Sequence, residues 1–224
     1  MIYALKKKAN TQQRSRRSDG DVTRAHIFEV AGYLFAEKGY ANTTSKEICE
    51  RAKTNIAAIN YHFGSRDQLY FVLLEKAHDY YVDIQFLTKL NQEPITSKEK
   101  LEKMLDAMIQ KAMLDEGWKT RILVRELLDP TPVMGKQIYA TAMKKMGVLL
   151  DLLSDITDIP VTDNRLLQCA LHVIAPCAIL LLTKREVKTP FSPLFSYSQE
   201  GLSTQVKRFI FAGLEAEKVA AQRK

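Results

Sequence analysis

The chain is poor in the residues that punctuate or cross-link a fold. Its 224 residues include 3 cysteines, 1 tryptophan, 4 histidines, 7 prolines and 9 glycines. An odd cysteine set, Cys49, Cys169 and Cys177, with no metal-type clustering excludes a disulfide framework and a zinc finger. Cys169 and Cys177 stand eight residues apart in a helical run, about 12 Å along the axis and beyond the reach of a disulfide. With free thiols and no signal-like apolar N-terminus, the expected compartment is the cytoplasm. His26, His62, His78 and His172 fall at no ligand spacing, and no glycine-rich loop or nucleophile–base pair is present. No enzyme, metal site or cofactor is therefore expected. Repeats and Ser/Gly linkers are also missing.

What is present begins with charge. The net +7 is concentrated at the start, where Lys6, Lys7, Lys8, Arg14, Arg16, Arg17 and Arg24 face only Asp19 and Asp21. The segment TQQRSRRSDGD has little apolar surface to fold, so residues 1–20 are expected to be a basic, flexible arm. Such an arm is drawn to a polyanion, either nucleic acid or an acidic lipid surface. A solubilising leader is the plainer alternative, and a transit peptide would need a clearer amphipathic pattern.

Behind the arm the hydrophobic period is helical almost throughout. Ile27, Ala31, Leu34 and Phe35 share a face, and Gly39 follows Lys38 as a C-terminal cap, which predicts a first helix over 22–38. Thr44-Ser45-Lys46-Glu47 has capping-box spacing, with Ile48 and Ala52 turned inward, and Asn55 suits the cap of a short third helix. Ile59 and Phe63 lie four apart and turn to the core, leaving Asn55, Ile56, Ala57, Asn60 and Tyr61 outside. Ser65 then opens a long fourth helix, with Gln68 at capping-box spacing.

Helix, three-residue turn and helix with small outward side chains is the arrangement that lays a recognition helix in the major groove of DNA. Asn60 can offer an amide to an adenine edge, Ile56 and Ala57 can meet thymine methyls, and Tyr61, His62 and Arg66 can contact phosphates. Thr43, Thr44 and Lys46 sit where a helix crosses the backbone, and Arg14, Arg16 and Arg17 can follow phosphates or enter a minor groove. Each has an ordinary alternative. Tyr61 and His62 can seal the junction of the third and fourth helices, Thr43 and Thr44 can be caps alone, and Lys46 can be a surface lysine.

Ile27, Ala31, Leu34, Phe35, Gly39, Tyr40, Thr44, Ile48, Ala52, Ile59, Tyr61, Phe63, Arg66 and Leu69, in this order and spacing, resemble the N-terminal signature of the TetR family of transcriptional regulators. Within that family, NIAAINYHFGSRDQLY and the later RELLDPTP resemble the branch related to the regulator CecR. The resemblance implies an all-α, homodimeric, ligand-responsive repressor. Two residues depart from the family pattern: Lys53 stands where a turn glycine is usual, and Asn60 where a tyrosine is usual. A lysine in a left-handed turn costs on the order of 1 kcal/mol.

The expected architecture is thus a three-helix head at 21–67, joined by the long fourth helix to a helical effector-binding and dimerisation domain at 68–224. That fourth helix, from RDQLYFVLLEKAHDYY onward to Leu90, is expected to be the only link between the two. Effector candidates are Tyr80, Tyr81, Met104, Met108, Trp118, Arg121, Ile122, Arg125 and His172; as aromatic and methionine residues at helical spacing they also suit a core. Arg125 would need an anionic partner, with Asp129 and Glu126 as the nearby choices. The run at 166–182 carries no formal charge, but it is short for a membrane span and holds Gln168, His172 and Pro176. An all-round apolar helix must be covered on all sides. With the stripe of the last helix it suggests a dimer interface through Leu171, Ile174, Ala178, Leu181, Val206, Phe209, Ile210 and Gly213. The expected partners are therefore double-stranded DNA with a palindromic operator, an unidentified small-molecule effector and a second copy of the chain, with no membrane. A helical lipid-binding or adaptor protein is the alternative, but it leaves the ordered signature around Tyr61 unexplained.

Overall fold

The computed structural model describes residues 2–114, 117–133, 136–182 and 188–223, with backbone only at 2–19, 127, 136–137 and 182. Ten α-helices make up the described residues, joined by short turns and one 3-10 turn at Ser192–Ser196. They are α1 (Ile2–Lys38), α2 (Ser45–Arg51), α3 (Ile56–Phe63), α4 (Arg66–Tyr81), α5 (Ile84–Gln92), α6 (Ser97–Met113), α7 (Trp118–Leu128), α8 (Lys136–Thr157), α9 (Asn164–Leu182) and α10 (Gln199–Gln222).

Two boundaries differ from the sequence reading. The expected flexible arm instead continues α1 as one helix from Ile2. It lacks an apolar face, yet Lys, Ala, Gln and Arg are good helix formers and no proline interrupts them, so propensity extends a helix already anchored further on. The expected long fourth helix stops at Tyr81, because Asp83 takes an extended backbone and accepts a hydrogen bond from Gln85 N, starting α5 as a new N-cap.

The helices fall into two compact units. The first comprises 1–74 and 117–133, the second 75–116 and 134–224. This corrects the expected boundary at 67/68 for one element: α7 packs with the head. Its Trp118 is buried and its Ile122 fully so. The Trp118 indole donates to Glu29 at 2.8 Å, and its ring meets Phe28 edge-on at 5.5 Å. The ring lies so close to α1 that a methyl group at Gly32 would come within 2.6 Å of it. Around this contact Ile27, Ala31, Leu34 and Phe35 of α1, Ile48 of α2, Ile59 and Phe63 of α3, and Leu69, Tyr70 and Leu73 of α4 are buried.

The second unit has its own apolar core, drawn from α5 (Leu87, Leu90), α6 (Leu101, Leu105, Ile109), α8 (Leu149, Leu153), α9 (Leu166, Val173) and α10 (Val206, Ile210). Cys169 and Cys177 are part of it and free. Burial pushes the Cys177 thiol up to about 12, which keeps it an unreactive apolar filler. At the surface of the same unit Lys207 holds both oxygens of Asp106 at 2.8 and 3.0 Å, which ties α10 to α6.

Two helix-interior glycines lead to opposite expectations. Gly32→Ala drives a methyl into an indole that α7 cannot withdraw, and overpacking of this kind costs about 1–3 kcal/mol, so the melting temperature should fall. Gly147, inside α8, has open space for at least 4 Å around the place an added methyl would take, so Gly147→Ala should raise stability by roughly 0.5–1 kcal/mol. Equal melting curves for the two variants would contradict this account of α1–α7 packing.

Candidate nucleic-acid interface

Each helix of the α2–turn–α3 segment is started by a side chain close to it in sequence. Thr44 is the N-cap of α2 and accepts from Glu47 N at 3.2 Å. The reciprocal half of the expected capping box is absent, because the Glu47 carboxylate pairs with Lys38 of α1 instead. Asn55 caps α3 and accepts from Ala58 N at 3.0 Å. Ser65 accepts from Gln68 N at 3.0 Å and so starts α4. Between α2 and α3, Lys53 sits at φ 51, the left-handed turn that the family resemblance implied.

The outward face of α3 is as the helical period demands. Ile59 and Phe63 are buried, while Asn55, Ile56, Ala57 and Asn60 are exposed and Tyr61 is 84% exposed. An aromatic ring standing that far into solvent contributes little to the fold, so the junction-sealing alternative does not apply to Tyr61. His62 is half-buried: its ring meets Tyr61 edge-on at 4.9 Å and lies 4.0 Å from where a methyl on Gly20 of α1 would be. It therefore belongs partly to the junction with α1. Thr44 and Lys46 are exposed, with Lys46 only loosely paired to Glu50 at 3.9 Å.

Two expected DNA contacts are turned inward. Thr43 is fully buried, and its hydroxyl donates to the carbonyls of Gly39 at 2.8 Å and Leu34 at 3.3 Å. It closes the turn after α1 and cannot reach a phosphate. Arg66 donates to the Thr43 carbonyl at 2.8 Å, lies 4.3 Å over the Tyr40 ring and approaches Asp67 at 3.5 Å. Tyr40 in turn donates to Asp67 at 2.6 Å, and burial together with that carboxylate raises its hydroxyl pKa. Arg66 thus locks the start of α4 to the start of α2, a role the sequence pattern did not separate from phosphate binding. Arg24, 5.0 Å from the Phe63 ring, braces α3 against α1. The side chains of Arg14, Arg16 and Arg17 lie outside the described residues.

The effector candidates are divided between the units. Trp118, Arg121, Ile122 and Arg125 are in the first. Arg125 finds its partners in neither Asp129 nor Glu126: its guanidinium donates to the carbonyls of Ala36 at 3.1 Å and Glu37 at 2.8 Å. A cation on the last carbonyls of α1 completes that helix end. Glu126 is buried and accepts from the Tyr70 hydroxyl at 2.9 Å and from Thr131 N at 2.8 Å. This explains the RELLDPTP segment, whose acid turns the chain after α7; burial, and then this carboxylate beside it, raises the Tyr70 pKa.

Tyr80, Tyr81, Met104 and Met108 lie in the second unit. Tyr80 meets Tyr81 at 5.3 Å with the Lys111 ammonium 4.2 Å from its ring, Met104 is core, and Met108 packs against that core. His172 is exposed on α9 and lines no interior. One residue missed in sequence is His78. Its Nε2 is buried with no hydrogen-bond partner among the described residues, and burial and the nearby Lys145, paired with Asp79 at 2.9 Å, lower its pKa.

The expected interface residues also divide. Val206 and Ile210 are buried in the chain's own core, whereas Leu171 is 63% and Phe209 76% exposed and Gly213 is exposed. Ile174, Ala178 and Leu181 are half-buried. Leu167 and Ile179, exposed on the same helix, extend the outer apolar face. The window Asn164–Leu181 is long and apolar enough to cross a membrane by length and composition. Its inner residues, however, pack into the core of the second unit.

Residues 27–73 match the family of bacterial regulatory proteins called the tetR family, and residues 97–214 match the C-terminal domain of the HTH-type transcriptional dual regulator CecR. The HTH-type transcriptional repressor Rv3405c of Mycobacterium tuberculosis is 29% identical over 123 residues, which cover 55% of this chain and 56% of that protein. The HTH-type transcriptional regulator TtgR of Pseudomonas putida is 35% identical over 66 residues, 30% of this chain and 31% of that one. The chain thus spans about half the length, or less, of these curated relatives. Among solved structures, AibR in complex with isovaleryl coenzyme A and operator DNA is similar at a TM-score of 0.66, with 17% identity over 84% of this chain and 98% of that one. A gamma-butyrolactone receptor described as ArpA-like is similar at 0.56, with 20% identity over 84% and 98%. At these identities the structures show a shared fold.

Exposed and locked side chains predict opposite stability effects. Tyr61→Ala should leave the stability within about 0.5 kcal/mol of the wild type, as surface changes do. Arg66→Ala strips the Thr43 carbonyl and the Tyr40 ring of their partner and should cost about 1–3 kcal/mol. A melt in which Tyr61→Ala is the more damaging change would contradict the assignment of faces.

Proposed function

Since the chain belongs to the TetR family of bacterial transcriptional regulators and carries a CecR-type C-terminal domain, we propose that it is a cytoplasmic, homodimeric repressor. In this reading it binds a palindromic operator through α3 and is released by a small-molecule effector. The observation that carries the DNA-binding part is Tyr61, with Asn55, Ile56, Ala57 and Asn60 beside it: a row of exposed side chains on a capped, otherwise well-packed short helix. Asn60 reads a base edge through its amide, Ile56 and Ala57 meet thymine methyls, and Tyr61, Thr44 and Lys46 hold phosphates. His62 has room for a phosphate contact only on its open side. The basic start of α1, with Arg14, Arg16 and Arg17, supplies a sequence-independent attraction to the duplex.

Dimerisation is supported by Leu167, Leu171 and Ile179 on α9 and Phe209 on α10, apolar side chains that the chain itself leaves uncovered. An effector is supported by the second unit's apolar core and by AibR, a protein of this fold described with isovaleryl coenzyme A and operator DNA. The effector must bind the DNA-incompetent state more tightly, and a coupling of about 1–3 kcal/mol shifts operator affinity by roughly 5–150-fold.

Selection from a random duplex pool tests the DNA-binding and dimer readings together. The wild type should enrich an inverted repeat whose half-sites lie about one helical turn apart. Asn60→Ala should relax preference at one base pair per half-site by about 1–3 kcal/mol, and removal of residues 1–17 should flatten the salt dependence without changing the preferred sequence. Enrichment of a single, unrepeated site would sink the dimer reading, and an unchanged preference profile for Asn60→Ala would remove its base contact.

Once a ligand is in hand, reciprocity provides a second test. Operator DNA should weaken ligand binding, measured by calorimetry, by the same factor by which the ligand weakens operator binding. Equal ligand affinities with and without operator would show that the molecule is no effector.

A further inference from the structure

Lys53 is the left-handed residue that closes α2: its N–H donates to the Glu50 carbonyl at 3.3 Å and the next N–H, of Thr54, to the Cys49 carbonyl at 2.9 Å. The cap accounts for the conformation but not for a lysine in it. Among the described residues two non-glycine positions have positive φ, Lys53 at 51 and Asp158 at 59. Asp158 is of a type that tolerates this region, and its carboxylate pairs with Lys218 at 3.0 Å. Lys53 has neither advantage. Its side chain is exposed and its ammonium has no ion-pair or hydrogen-bond partner among the described residues. Glycine would take the same turn freely.

Nearby cations have local reasons for their positions. Arg66 holds Thr43 and Tyr40, Lys38 pairs with Glu47, and Arg24 covers Phe63. Arg51 lies in the last turn of α2, where a cation favours the helix end. A lysine at a cap that glycine fills at lower cost, with no partner for its ammonium among the described residues, points to a partner outside the chain. Lys53 stands two residues ahead of Asn55, the N-cap of a helix whose first residues, Ile56 and Ala57, are exposed. A recognition helix turns its N-terminal residues to the bases, so the residue just before it stands at the rim of the groove, where the phosphates run.

We propose that Lys53 is a phosphate contact at the entry of α3 into the major groove, a lysine that replaces the turn's easier glycine in order to hold the DNA backbone. This rests on the DNA-binding reading above. Its effect is on affinity and on the seating of α3 rather than on base choice, because a phosphate contact carries no sequence information.

The test uses the full chain with Lys53→Gly, Lys53→Asn and Lys53→Arg, on a mixed-sequence duplex and on the duplex the wild type selects from a random pool, across a salt series. The Gly and Asn variants should melt at or above the wild type, since both suit the turn, yet bind both duplexes several-fold more weakly. Their plots of log K against log salt should be shallower by about 0.9 per bound chain, while Lys53→Arg keeps the wild-type slope. An unchanged slope for the Gly and Asn variants, in a protein whose Tyr61→Ala variant does bind more weakly, overturns the Lys53 contact alone. A wild type that selects no duplex overturns the DNA-binding reading and this contact with it.

Discussion

The first unit depends on the seating of one indole against a helix with no side chain in the way. Trp118 fits over Gly32 in α1, and a single added methyl there would be 2.6 Å from the ring. A glycine inside a helix costs about 0.5–1 kcal/mol relative to alanine. Here the cost is offset by close packing that no larger residue permits, by the indole bond to Glu29 and by the edge contact with Phe28. Arg125, further along α7, closes the end of α1 through the carbonyls of Ala36 and Glu37, and Glu126 on the adjoining position takes the Tyr70 hydroxyl from α4. One short helix therefore fixes both the helix that starts the head and the helix that leaves it.

The chain passes between the two units at 74/75, 116/117 and 133/134, rather than through α4 alone. The α7 segment therefore belongs to the first unit although it lies between two stretches of the second, and its Trp118 and Arg125 grip α1 directly. The Glu126–Tyr70–Thr131 cluster holds α7 to α4 firmly, since a buried carboxylate loses heavily if its donors leave.

Across α2, α3 and the start of α4, the side chains that make the fold and those left in solvent are cleanly divided. Thr43, Arg66, Tyr40 and Asp67 form a compact set of hydrogen bonds, and a charge-on-ring contact, that holds α2 and α4 together. Tyr61, Asn60, Ala57 and Ile56 are left in solvent. Because the first set fixes the second without sharing residues with it, the exposed row is free to vary in chemistry without loss of the head, which is how Asn60 can stand at a position usually given to tyrosine.

The sequence by itself determined what is local. Helical period located the buried faces of α1, α2 and α3, and capping residues within four positions of each start, Thr44, Asn55 and Ser65, located the beginnings of α2, α3 and α4, because both signals act over one or two turns of chain. The outward row at Tyr61 was legible for the same reason, whereas the left-handed turn at Lys53 was implied by the family resemblance. What only the tertiary structure decided is where side chains with two possible uses were committed. Thr43 and Arg66 have the chemistry of phosphate ligands, yet partners 4 and 23 residues away claimed them. Arg125 has the look of a ligand-binding cation, but a carbonyl 88 residues earlier holds it. Val206 and Ile210 fit a dimer stripe, while the chain's own α6, α8 and α9 cover them. Such choices are settled by competition among contacts far apart in sequence, and a periodic pattern carries no record of which competitor wins.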